Sequence, residues 1–123
     1  MATVLTNVGE QWACDRMSGA STKTGCYIGW GTGAGTANKT DTTLFTEAAE
    51  TRVSGTVSTN GTGASAKYQV TGTMTCNATP KTITNAGNFD ASTTGVLIVL
   101  GDFTGIPLQQ NDQIQFTITI DPS

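Results

Sequence analysis

A chain of 123 residues with formal net charge −3, no histidine and only 12% charged side chains holds enough material for one domain and lacks the basic footprint of a nucleic-acid binder. The missing histidine excludes Ser–His–Asp and Cys–His catalysis, histidine metal ligation and a histidine proton shuttle. Twenty-five threonines and 15 glycines make a β-rich composition, because threonine suits a pleated, half-wet surface and glycine supplies turns.

In chain order, the first element is a helix. Leu5, Val8, Trp12 and Ala13 recur at helical spacing; Thr6 or Asn7 can cap the start, Glu10 sits in the first turns and Gly19 can end it. The reading is a short helix over residues 7–17. Tyr27-Ile28-Gly29-Trp30 is a strand, and the glycines after it form a loop. The stretch from Asp41 to Thr51 allows one or two helical turns or an irregular crossing. From Arg52 onward the pattern is β throughout. Val53 and Val57 fall on one face of a strand, and Asn60-Gly61 suits a hairpin turn or the start of a longer loop. The return strand puts Tyr68, Val70, Met74 and Cys76 on one face and Lys67, Gln69, Thr71, Thr73 and Thr75 on the other. Pro80 ends it. Ile83 opens a short strand, and Asn85-Ala-Gly-Asn88 reads as a turn.

Val96 to Leu100 reads as a strand buried on both faces. At five residues it is far below the ~20 that a membrane span needs. The N-terminus lacks the basic-then-apolar layout of a signal peptide, so the expectation is a soluble chain with no membrane partner and no export by the signal route. Gly105 and Pro107 interrupt the next stretch, where Phe103, Ile106 and Leu108 are apolar anchors. From Asp112 to Asp121, Ile114, Phe116, Ile118 and Ile120 point one way and glutamine and threonine the other. Six to eight short strands with little helix predict a mainly β fold. It is a single-domain β-sandwich over residues 1–123, jelly-roll or Greek-key-like, with a helical segment at 1–19 and the sandwich at 20–123.

The chemistry-bearing residues are sparse. Cys14, Cys26 and Cys76 form no CxxC pair, which leaves three small buried thiols of a reducing compartment as the plain reading. Gly33-Ala-Gly-Thr-Ala-Asn38-Lys39-Thr40 approaches a phosphate-binding loop, but Asn38 stands where that loop needs glycine and no helix follows Lys39. Gly31, Gly33 and Gly35 miss the dinucleotide spacing; a flexible or partner-contacting loop fits them better. No calcium-loop motif occurs among the nine carboxylates, and Asp90 and Asp112 suit turn capping. Arg52 lies near Glu47 and Glu50, which favours a structural ion pair ahead of a partner-binding role. Trp12 and Trp30 suit the core by default and interface anchoring in the sharper reading, Trp12 being the better interface candidate. The outward threonines, glutamines and serines carry few charges, which fits packing against other subunits.

Two stretches carry a resemblance. Tyr27 to Arg52, with its Gly-x-Gly-x-Gly, Thr-Asp-Thr-Thr-Leu, Glu and Arg52, resembles a block in small virion proteins of tailed bacteriophages. Lys81 to Ile120, with Ile83, Ala86-Gly87, Phe89-Asp90-Ala91 and Gly95-Val-Leu, is similar to a second block of that family; Asn88 and Asn111 depart from its pattern. The resemblance implies a structural and not a catalytic role, with no cofactor and no metal. It implies a virion component made in the host bacterial cytoplasm, foremost a capsid decoration (cement) protein that self-associates as a dimer or trimer and binds the major capsid protein. Trp12, Trp30, Gly31, Gly33, Gly35, Lys39 and Arg52 are then the candidate subunit or capsid contacts. A tail- or fibre-associated protein for host adsorption is the alternative within the virion, and a carbohydrate-binding β-sandwich is the alternative outside it.

Overall fold

The strict two-residue alternation of the middle and the end of the chain becomes a pair of long strands, and the rest of the fold is arranged around them. The computed structural model describes residues 2–77 and 79–121. Its elements run β1 (Thr3–Leu5), α1 (Asn7–Ser18), β2 (Tyr27–Gly31), β3 (Val53–Ser54), β4 (Thr56–Asn60), a 3-10 turn at Gly63–Ser65, β5 (Lys67–Thr75), β6 (Lys81–Phe89), β7 (Leu97–Leu108) and β8 (Gln113–Ile120). A five-stranded sheet has the order β1-β7-β6-β2-β3 and a three-stranded sheet the order β4-β5-β8. All pairings are antiparallel. The result is a mainly β, sandwich-like molecule with one short helix near its N-terminus.

The main core lies between the sheets. Ile28, Trp30, Ile83, Ala86 and Leu108 of the larger sheet meet Val70 and Met74 of the smaller one and Cys76 just past the end of β5. The other face of the larger sheet is also buried: Phe89, Leu97 and Leu100 pack under Ala37 and Leu44, which belong to the segment crossing from β2 to β3. Coverage from both sides is why Leu97–Leu100 is apolar at every position and fully or almost fully buried.

Helix α1 starts and stops where capping chemistry dictates. The Thr6 hydroxyl accepts a hydrogen bond from the Gly9 amide at 2.9 Å and donates to the Leu97 carbonyl at 2.6 Å. Gly19 closes the helix in the left-handed conformation, φ 83°. Trp12, Ile98 and Val99 form a third cluster beneath the helix. Gly9 is what lets α1 lie this close to β7: a Cβ there would come within 2.3 Å of the Ile98 carbonyl oxygen. Alanine's helix propensity favours Gly9→Ala by about 1 kcal/mol, but overpacking of this kind costs typically 1–3 kcal/mol. Gly9→Ala is therefore expected to lower the urea midpoint, and an unchanged or raised midpoint would show that α1 shifts off β7 freely.

Several sequence expectations are corrected. The segment before the helix is not part of a helical arm, because Thr3–Leu5 pairs with Val99–Gly101 as an edge strand. Val53 and Val57 do not share a strand face; Gly55 lets the chain pass from one sheet to the other, Val53 packing on the core and Val57 remaining exposed. Asn85-Ala-Gly-Asn88 is not a turn but the middle of β6. Gly105 and Pro107 do not end β7, although its register with β6 shifts between Asp102 and Ile106, around Gly105. Pro107 is tolerated there because β1 flanks β7 only along Val99–Gly101, so the missing N–H falls on an open edge. Ile106, expected as an apolar anchor, is 38% exposed. Cys76 is buried and Cys26 half-buried as free thiols, but Cys14 is exposed on α1.

Candidate functional site

The glycines of the Gly-x-Gly-x-Gly stretch have an internal use. All three face the same residue: a Cβ on Gly31 would lie 2.4 Å from the Phe45 carbonyl oxygen, one on Gly33 2.9 Å from it, and one on Gly35 2.8 Å from the Phe45 ring. The Gly33 amide donates to the Phe45 carbonyl and the Thr32 amide to Thr46, at 2.9 and 3.0 Å. So this stretch makes room for the Leu44–Glu47 segment to run flat across the larger sheet. Asn85 locks the arrangement from below. Its side chain accepts from the Phe45 amide and donates to the Phe45 carbonyl, both at 3.1 Å, which is how a fully buried asparagine is satisfied in mid-strand. Asn88 does the same between the Gly25 carbonyl and the Val99 amide, at 3.0 and 3.1 Å.

The other sequence candidates fall in separate places. Trp30 is fully buried between the sheets, edge-on to Phe116 with ring centroids 6.3 Å apart. Its indole N–H donates to Glu50 at 3.2 Å. Trp12 is 7% exposed, with its N–H on the Lys23 carbonyl. Lys39 sits half-exposed, bonded to Glu10 at 2.6 Å and to the Leu5 carbonyl at 2.9 Å; it clips the glycine loop to the start of α1. Only Lys39 with Glu10, and Gly31 with Gly33 and Gly35, are brought together; the seven residues do not form one patch.

Arg52 is a staple. Its guanidinium binds Glu47 through two hydrogen bonds of 2.8 and 2.9 Å, donates to the carbonyls of Ala91 and Thr94, and lies 3.3 Å over the Phe89 ring. The side chain is 7% exposed. The two-pronged Glu47 bond requires the planar fork, and only the fork makes all of these contacts at once. Arg52→Lys is expected to destabilise by about 2 kcal/mol and to speed amide hydrogen exchange in the Asp90–Val96 loop. Unchanged exchange there would mean that the loop is held by Asp90 alone, whose carboxylate accepts from the Val96 amide at 2.8 Å.

The sequence pattern does not reveal the cluster around Glu50. This carboxylate is 8% exposed. It accepts from Lys81, from the Asn77 amide at 3.0 Å and from Trp30. Burial pushes its pKa up, but those three hydrogen bonds, Lys81 first, outweigh burial and hold it at about 2. The group thus stays ionised and fully engaged, a structural knot that ties β2, the β5–β6 connection and β6 together. Among the described residues no group of three or more histidine, cysteine or acidic side chains could hold a metal.

Two surfaces face outward with distinct chemistry. One is the outer face of β4, β5 and β8, where threonine, glutamine and serine stand in register and the charges among the described residues are Lys67 and Asp121, an ion pair of 3.9 Å at one end; Gln69–Thr119, Thr71–Thr117 and Gln113–Thr75 are in hydrogen-bond contact across strands. The other is an apolar groove of about 320 Å3 lined by Trp12, Ala13, Arg16, Met17, Tyr68 and Ile120, with Met17 81% exposed.

No family model, no curated protein and no solved structure matches this chain.

Proposed function

We propose that this protein is a bacteriophage virion structural protein, specifically a capsid decoration protein that binds the outer surface of the major capsid shell as a homo-oligomer and stabilises it. The observation that carries the reading is the outer face of the smaller sheet, a broad array of threonine and glutamine whose charges among the described residues are the Lys67–Asp121 pair at one end. Such a face can be covered by another protein without burying unpaired charges. The likeness of Tyr27–Arg52 and Lys81–Ile120 to small virion proteins supplies the particle, and it coincides with the glycine loop, its Phe45 partner and the β6–β8 framework. Each contact of such a protein is modest, and symmetric repetition over the shell multiplies it through effective concentration.

The test is electron cryo-microscopy of the purified particle whose genome encodes the chain, together with heating of particles that lack it. Density repeated over the head and loss of heat resistance on deletion are expected. Density confined to the tail, with intact heads and poor adsorption on deletion, would replace this reading by an adsorption role, and density nowhere on the particle would overturn it.

A further inference from the structure

We infer that the free edge of β8 is a self-association surface, at which two copies of this chain pair β8 antiparallel to β8 across a two-fold axis. The inference deepens the oligomer named above and stands on strand geometry alone.

Among the described residues β8 pairs only with β5, in unbroken register from Thr75↔Gln113 to Tyr68↔Ile120. The Cys76 amide donates to the Asp112 carbonyl at 2.8 Å. That bond sets the alternation: the backbone groups of residues 114, 116, 118 and 120 face β5, and those of Gln113, Gln115, Thr117 and Thr119 face outward along the edge. An open edge is a template for another strand, and proteins that keep an edge free guard it with lysine, proline, a bulge or shortness. The larger sheet has such guards: β1 has three residues, β3 two, and the open half of β7 carries Pro107. β8 has none of them, being eight residues of uncharged Gln-Ile-Gln-Phe-Thr-Ile-Thr-Ile.

Two features select a second copy as the occupant. The strand is self-complementary. With the axis through Thr117, Phe116 meets Ile118 of the second copy, Ile114 meets Ile120, Gln115 meets Thr119, and Gln113 meets Asp121, so no like charges oppose and each face keeps its character. The inner side is also unfinished: Val70 and Met74 on β5 are fully buried, while Ile114, Phe116, Ile118 and Ile120 remain only half-buried. A second β8 would cover their open flank and join the two small sheets into one of six strands.

The experiment is sedimentation velocity on the purified full chain and two edge variants. Thr117→Pro removes an edge donor without breaking a backbone bond to β5, and Thr117→Lys sets two like charges at the axis; both lose the Thr71–Thr117 hydroxyl contact, 3.5 Å long and exposed. Thr73→Lys, on the central strand of the same face, is the control. Circular dichroism checks that each variant folds, and Thr117→Lys decides the matter where the proline variant does not. A wild-type dimer, kept in Thr73→Lys and reduced to monomer at the same concentration by the Thr117 variants, is expected. A wild-type monomer, a trimer, or a dimer insensitive to Thr117 would overturn the inference. These readouts use the free protein, so they are separate from the particle-based test of the virion reading.

Discussion

Lys81→Ala is expected to destabilise the protein by about 3 kcal/mol near pH 7, because removing one partner of a buried ion pair leaves the other charge uncompensated. Among the described residues Lys81 is the only cation bonded to Glu50, and the two side chains are 13% and 5% exposed. With Lys81 gone, the Asn77 amide and the Trp30 indole still donate to the carboxylate, but burial then pushes its pKa up. The sign of the pH dependence follows. In the wild type Glu50 has a folded pKa of about 2 against an ordinary value of 4.5. A depressed carboxylate adds stability that is complete above 4.5 and is lost as pH falls towards 2. That contribution is of order 1–2 kcal/mol once screening by nearby solvent is discounted. Wild-type and Lys81→Ala unfolding curves should therefore lie far apart at pH 7 and draw together between pH 4.5 and pH 2. The paired replacement Glu50→Gln with Lys81→Met should recover most of the loss at pH 7, since no buried charge is left. A gap that persists unchanged at pH 2 would mean that Lys81 acts through the packing of its aliphatic stem and not through Glu50.

What the sequence discloses of this fold is what local chemistry decides. Thr6 and Gly19 bracket α1 because capping is settled within three or four residues. The alternation of β5 and β8 is legible because each buries one face and wets the other. The misreadings at Asn85–Asn88 and Gly105–Pro107 share one cause: residue types that favour turns when backbone groups are otherwise unmet are used here in strands, where distant groups meet them. Asn85 and Asn88 have Phe45, Gly25 and Val99 as partners, none of them near in sequence. Pro107 is allowed by how short β1 is, which lies about a hundred residues away in the chain.

The candidate site was legible to a smaller degree. The glycine run is conspicuous by composition, but only the fold shows that it accommodates Phe45. The Glu47–Arg52 pair was readable from proximity. The Glu50–Lys81–Trp30 knot was not, because its members are 20 and 31 residues from Glu50 and none is an unusual residue type by itself. The uncharged outer face of β5 and β8 was visible as pattern; that β8 is an edge follows from sheet order, which pattern does not specify.

Trp30→Ala is expected to have the largest effect of any single substitution considered. Truncating a fully buried tryptophan removes its contact surface and leaves a cavity, at a cost of about 3–5 kcal/mol. Here it also removes a donor from the buried Glu50 carboxylate and the edge-on contact with Phe116 that links the two sheets. For a domain of this size the melting temperature should fall by about 10–20 °C, with the variant partly unfolded at 37 °C. Trp30→Phe keeps most of the apolar volume and loses the hydrogen bond, so its cost should be about 1–2 kcal/mol. The comparison separates the two uses that a tryptophan beside a glycine run suggests. A side chain with no exposed surface acts by holding the sheets together, and its loss should appear in denaturation of the isolated protein whether or not a partner is present. If Trp30→Ala instead melted like the wild type while self-association or particle binding failed, the indole would have to turn outward in the assembly, and the packing of Trp30 against Met74, Val70 and Phe116 would not be the state that functions.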